Sequence, residues 1–76
     1  MTIGDFIKLN DVEQTKAIKK ATIVGTREDE QYRIFIYQIN DFYVDVFFHK
    51  ELKVIDRFRP FKTNKQLAPF YNISLN

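Results

Sequence analysis

The sequence predicts an α+β domain: an N-terminal helix or kinked helix pair, a four-stranded antiparallel meander sheet, and a short C-terminal helix. Three observations carry that reading. Two capping-box patterns open the chain, Thr2 with Asp5 and Asn10 with Glu13. The residues turn β-prone at Thr22-Ile23-Val24. Two β-rich runs, residues 32–39 and 42–49, then flank the turn-forming pair Asn40-Asp41, which is a strong short-range hairpin signal.

Each element follows from local chemistry. After Thr2, the residues Phe6, Ile7 and Leu9 supply an apolar stripe. After Asn10, Val12, Ala17, Ile18 and Ala21 supply a second one. Two helix starts eight residues apart imply a short helix, a kink at Leu9-Asn10, and a second helix to about Lys20. Lys16, Lys19 and Lys20 fall in its last turns, where cations favour the helix dipole. The first strand covers Thr22 to Arg27, and Glu28-Asp29-Glu30 reads as a polar turn.

With Asn40-Asp41 as the two loop residues, Ile39 faces Phe42, Tyr37 faces Val44, Phe35 faces Val46 and Arg33 faces Phe48. One sheet face then holds Phe35, Tyr37, Ile39, Phe42, Val44, Val46 and Phe48, a dense surface for the helices to cover. The last strand spans Val54 to Phe61, but strict alternation cannot bury both Ile55 and Phe58. A bulge near Asp56 resolves that conflict. Pro60 lacks an N–H and ends the ladder. A terminal helix is predicted from Thr63 or Asn64 through Leu67, Phe70 and Tyr71, irregular at Pro69.

Composition narrows the function classes. A chain of 76 residues makes one domain, and at this size only about 60% of the unfolded surface is buried. With no cysteine, it has neither a disulfide nor a thiolate metal ligand. The longest apolar run, Ile34 to Tyr37, is far short of a membrane span. Met1 to Asp5 lacks the basic start of a signal peptide, so a cytoplasmic protein without a membrane partner is expected, and the Asn72-Ile73-Ser74 sequon is expected to carry no glycan.

The net charge of +2 is unevenly spread: residues 1–49 carry six Lys/Arg against eight Asp/Glu, and residues 50–76 carry six against two. The basic set is Lys50, Lys53, Arg57, Arg59, Lys62 and Lys65. Such a stripe can attract phosphate. It also reads as an edge strand and loop protected against aggregation.

No catalytic or cofactor-binding signature is present. The single histidine, His49, and the absence of cysteine leave only carboxylates to complete a metal site. Asp45 and His49 lie about 13 Å apart along one strand face, too far for a dyad. Ser74 is the only serine, and Gly4 and Gly25 cannot form a phosphate-cradling loop.

The stretch Tyr37-Gln38-Ile39-Asn40-Asp41-Phe42-Tyr43-Val44-Asp45-Val46, with Arg57-Phe58-Arg59-Pro60-Phe61-Lys62-Thr63 and Leu67-Ala68-Pro69-Phe70, resembles a group of small bacterial α+β proteins of uncharacterised function. In those, an Asp-Gly turn precedes a Phe-Tyr-Val-acid-Val strand; this chain has Asn40-Asp41 at that turn. The resemblance implies a helix, four strands and a final helix, and no activity, cofactor or catalytic residue.

What remains is the second sheet face: Tyr32, Ile34, Ile36, Gln38, Tyr43, Asp45, Phe47 and His49, with Arg57 and Arg59 beside it. The candidate interaction surface is Tyr43, Asp45, Phe47, Arg57 and Arg59. Tyr, Phe and Arg are the anchors of protein interfaces, so a non-enzymatic protein-interaction domain, with a protein partner or a homodimer, is the expected function. Two other readings stay open. The same aromatics and guanidinium groups could stack and bind a nucleic acid single strand, although Asp45 would repel phosphate. Alternatively, the terminal helix crosses this face and buries it.

Overall fold

The structure is a computed structural model that describes residues 1–62 and the short strand Asn72–Ile73. The predicted C-terminal helix, Lys65 and Ser74 lie outside the described residues.

Both capping boxes form. In α1 (Ile3–Lys8) the Thr2 hydroxyl accepts from the Asp5 amide at 3.1 Å, and the Asp5 carboxylate accepts from the Thr2 amide at 3.0 Å. The Thr2 amide, and after it the Thr2 hydroxyl, hold the Asp5 carboxyl below its usual range. In α2 (Asp11–Lys19) Asn10 and Glu13 exchange the equivalent bonds at 2.9 and 3.1 Å. Leu9 and Asn10 are extended, so the expected kink is a full break between two helices. The Gln14 amide then donates to the Phe6 carbonyl at 3.1 Å and ties the helices together.

The sheet comprises β1 (Thr22–Glu28), β2 (Tyr32–Ile39), β3 (Phe42–His49), β4 (Val54–Phe61) and β5 (Asn72–Ile73), in spatial order β4-β3-β2-β1-β5. Every pairing is antiparallel. The meander is therefore extended by a two-residue strand on the outer side of β1. Asp29 makes the β1–β2 turn: its carboxylate accepts from the Gln31 and Tyr32 amides at 2.9 and 2.7 Å. At the β2–β3 loop, Asn40 takes φ 52°, a conformation that asparagine tolerates better than most residues.

The β2–β3 register is the one the hairpin signal implies, from Ile39 opposite Phe42 to Arg33 opposite Phe48. In the β3–β4 ladder Phe47 pairs with Arg57 and Phe48 with Ile55, which leaves Asp56 as the extra residue of a bulge. A second bulge lies in β1, where Ile23 pairs with Tyr37 and Gly25 with Ile36, leaving Val24 over.

The helix-side core is built on Phe6, Ile18, Phe42, Val44 and Val46, with Phe35, Tyr37, Ile39 and Phe58 partly buried against it. The Phe6 ring is tilted on Phe42 at 5.9 Å and meets Phe58 edge-on at 6.2 Å, favourable aromatic geometries. Phe48, expected in the same buried set, is only half-buried. Among the described residues no helix is long and apolar enough to cross a membrane.

Candidate interaction groove beside α2

The middle of the second sheet face is buried. Ile34, Ile36 and Asp45 expose no surface, and Phe47 and Phe61 are buried. Ile36 and Phe61 form a second apolar cluster with Val24 and Tyr43 against it. Of the five residues of the candidate surface, Asp45 and Phe47 are inside, Tyr43 is half-buried, and Arg57 and Arg59 are exposed.

The five residues fall into two stacked groups. Tyr43 stacks on Phe61 at 5.6 Å, and the Arg59 guanidinium lies 5.9 Å from the same ring while donating to the Asp45 carboxylate at 3.4 Å. Phe47 meets the edge of Tyr32 at 5.8 Å and carries the Arg57 guanidinium over its face at 4.2 Å. Tyr32 in turn contacts the His49 ring at 5.3 Å. His49 accepts at Nδ1 from the Leu52 amide, 3.1 Å away, which closes the β3–β4 loop.

Much of the basic stripe is locally compensated. Arg59 pairs with Asp45, Lys62 with Asp41 at 3.6 Å, and Lys50 with Glu28 at 2.7 Å. A phosphate backbone would have to compete with each carboxylate. Among the described residues no group of three His, Cys, Asp or Glu side chains could hold a metal ion.

The open apolar surface lies on the helix side instead. Nine-residue α2 is about 13 Å long, whereas the eight-residue strands run about 26 Å. Two such short helices cannot roof the whole sheet. They leave a groove of about 220 Å³ lined by Ile18, Phe35, Tyr37, Val46, Phe48, Ile55 and Phe58, with Thr15 and Lys19 of α2 along its wall. Ile55 is 48% exposed at its outer rim. Past Thr15 a more polar depression of about 330 Å³ reaches Asp11 and Gln14.

Sequence reasoning placed Phe35, Val46, Phe48 and Phe58 on this face but took the face as covered. The signal was available in the lengths: the helix segments are too short for the strands they face. No protein-family model, curated protein or solved structure matches this chain.

Proposed function

We propose that this protein is a non-enzymatic protein-interaction domain whose binding surface is the apolar groove between α2 and strands β2, β3 and β4. The observation that carries the reading is Ile55, a large aliphatic side chain 48% exposed beside half-buried Phe48 and Phe58 at the rim of a walled groove. A concave apolar site edged by a few polar groups is the usual form of a binding surface. The nucleic-acid reading rests on the exposed Arg57 and Arg59, and the carboxylates that compensate the neighbouring charges weigh against it.

Site-specific photo-crosslinking in living cells tests the proposal. A benzoyl-phenylalanine at position 55 should give a discrete covalent protein adduct, and the same residue at position 30, on the exposed turn, should not. Equal labelling from both positions, or none from position 55, would sink the reading.

A further inference from the structure

We propose that the occupant of the groove is a second copy of this chain, seated with the two α2 helices antiparallel about a two-fold axis near Thr15. The inference rests on the interaction reading above and specifies its partner.

The β4 edge of the sheet offers a poor route to self-association. At the outer edge of β4, Pro60 has no N–H to give and the Asp56 bulge interrupts the ladder. Edge-to-edge continuation of β4 is therefore disfavoured, whereas the groove offers a concave apolar surface.

The α2 wall is polarised along its length. Lys19 lines the groove and Asp11 lines the depression that continues past Thr15, about 12 Å apart along the helix at 1.5 Å per residue. Both are exposed, and among the described residues neither makes an ion pair. A two-fold axis exchanges the ends, so Asp11 of each copy meets Lys19 of the other. The same operation opposes the α2 dipoles, placing the acidic first turn (Asp11, Glu13) beside the basic last turn (Lys16, Lys19) of the second copy.

Val12, 64% exposed, supplies the apolar contact. At 3.6 residues per turn it lies on the flank of α2 that also carries Thr15 and Lys19, the side toward the groove. Each copy can thus offer Val12 to the other's groove, the isologous pattern of a two-fold dimer. A 76-residue chain without disulfides gains most from burying such a surface.

The test uses the intact chain in sedimentation equilibrium from about 1 µM to about 500 µM. The expected mass rises to twice the 9.1 kDa chain. Asp11→Lys and Lys19→Asp each place like charges at both ends of the contact. Each alone should weaken self-association by roughly tenfold or more. Mixed in equal amounts, they restore every opposite-charge contact and should form a heterodimer.

The chain has no cysteine, so Thr15→Cys introduces a unique thiol at the axis. It should form an intermolecular disulfide under mild oxidation, and Glu30→Cys should not. This second readout stands whether or not the charge variants fold. A wild type that stays monomeric overturns the inference, as does a dimer indifferent to both charge variants and to oxidation at position 15. A monomer that still gives a heterologous adduct from position 55 fails here while leaving the interaction reading intact.

Discussion

Tyr32 donates its phenolic hydroxyl to the Asp56 carboxylate across 2.9 Å, joining the first residue of β2 to the extra residue of the β4 bulge. To get there the ring passes over β3, where it packs edge-on against Phe47 and His49. One side chain therefore ties down the bulge and packs over the Phe47–His49 end of the second face. The bulge in turn restores the alternation that puts Ile55 and Phe58 on the same side as Phe48 and Val46, and so makes the groove.

The same bond sets a titration. The hydrogen bond to Asp56, followed by desolvation and the carboxylate charge, raises the Tyr32 phenol above its ordinary value. Because the folded value lies above the unfolded one, the associated stability is present below about pH 10 and is lost as pH rises beyond it. In a tyrosinate titration Tyr32 should ionise above the ordinary tyrosine range, and Asp56→Ala should lower it. An unchanged Tyr32 titration in Asp56→Ala would show that the bond does not hold in solution.

At the acid end Glu28 and Asp29 join Asp5 as carboxyls lowered by their hydrogen bonds. Glu28 accepts from Lys50 at 2.7 Å and Arg33 at 3.1 Å, which lowers its carboxyl. Asp29 is lowered by the amides of Tyr32 and Gln31. Folded values below unfolded ones contribute stability above the unfolded pKa, and that contribution is lost as pH falls through the folded value. Chemical denaturation should therefore find Glu28→Gln less stable than wild type at neutral pH, with the gap closing below about pH 4. Salt should narrow the gap as well, because Glu28 and Arg33 are exposed and Lys50 is only half-buried. A gap independent of pH would exclude this linkage.

Burial separates neighbours on α1. Phe6 is fully buried between Phe42 and Phe58, whereas Ile7 is 61% exposed. Phe6→Ala should cost about 3–5 kcal/mol through lost ring packing and a residual cavity. Ile7→Ala should change stability by no more than about 0.5 kcal/mol. Val46→Ala, in the same core, should cost about 1–3 kcal/mol. Thermal or urea unfolding reads all three, and equal effects at positions 6 and 7 would contradict the packing.

These contrasts also mark how far the sequence could be read. Capping boxes act over three residues and a two-residue loop fixes its own register, so both helix starts and the whole β2–β3 ladder were legible. The Asp56 bulge was legible because Ile55 and Phe58 cannot both face inward without it. The β1 bulge at Val24 was missed although Gly25 signalled it, since glycine inside a strand often accompanies a bulge. A two-residue strand such as β5 has no periodicity to detect. Burial of the second face depends on what packs against it across the chain, which alternation along one strand does not encode.

Phe47 and Ile55 give the sharpest test of which face is surface. Phe47 is 6% exposed, paired with Ile34 across the ladder and enclosed by Tyr32 and Arg57. Phe47→Asp removes that ring and sets a carboxylate beside fully buried Ile34. Arg57 can offset part of the charge but not the lost packing. A cost of several kcal/mol is comparable to the whole stability of a small domain, about 5–15 kcal/mol. The circular dichroism of Phe47→Asp should accordingly show loss of the folded state at temperatures where wild type is intact. Ile55→Asp, at the rim of the groove, should remain folded and lose its association instead. The reverse outcome, a folded Phe47→Asp with abolished partner binding and an Ile55→Asp that binds normally, would return the binding surface to the aromatic face and leave the groove without a role.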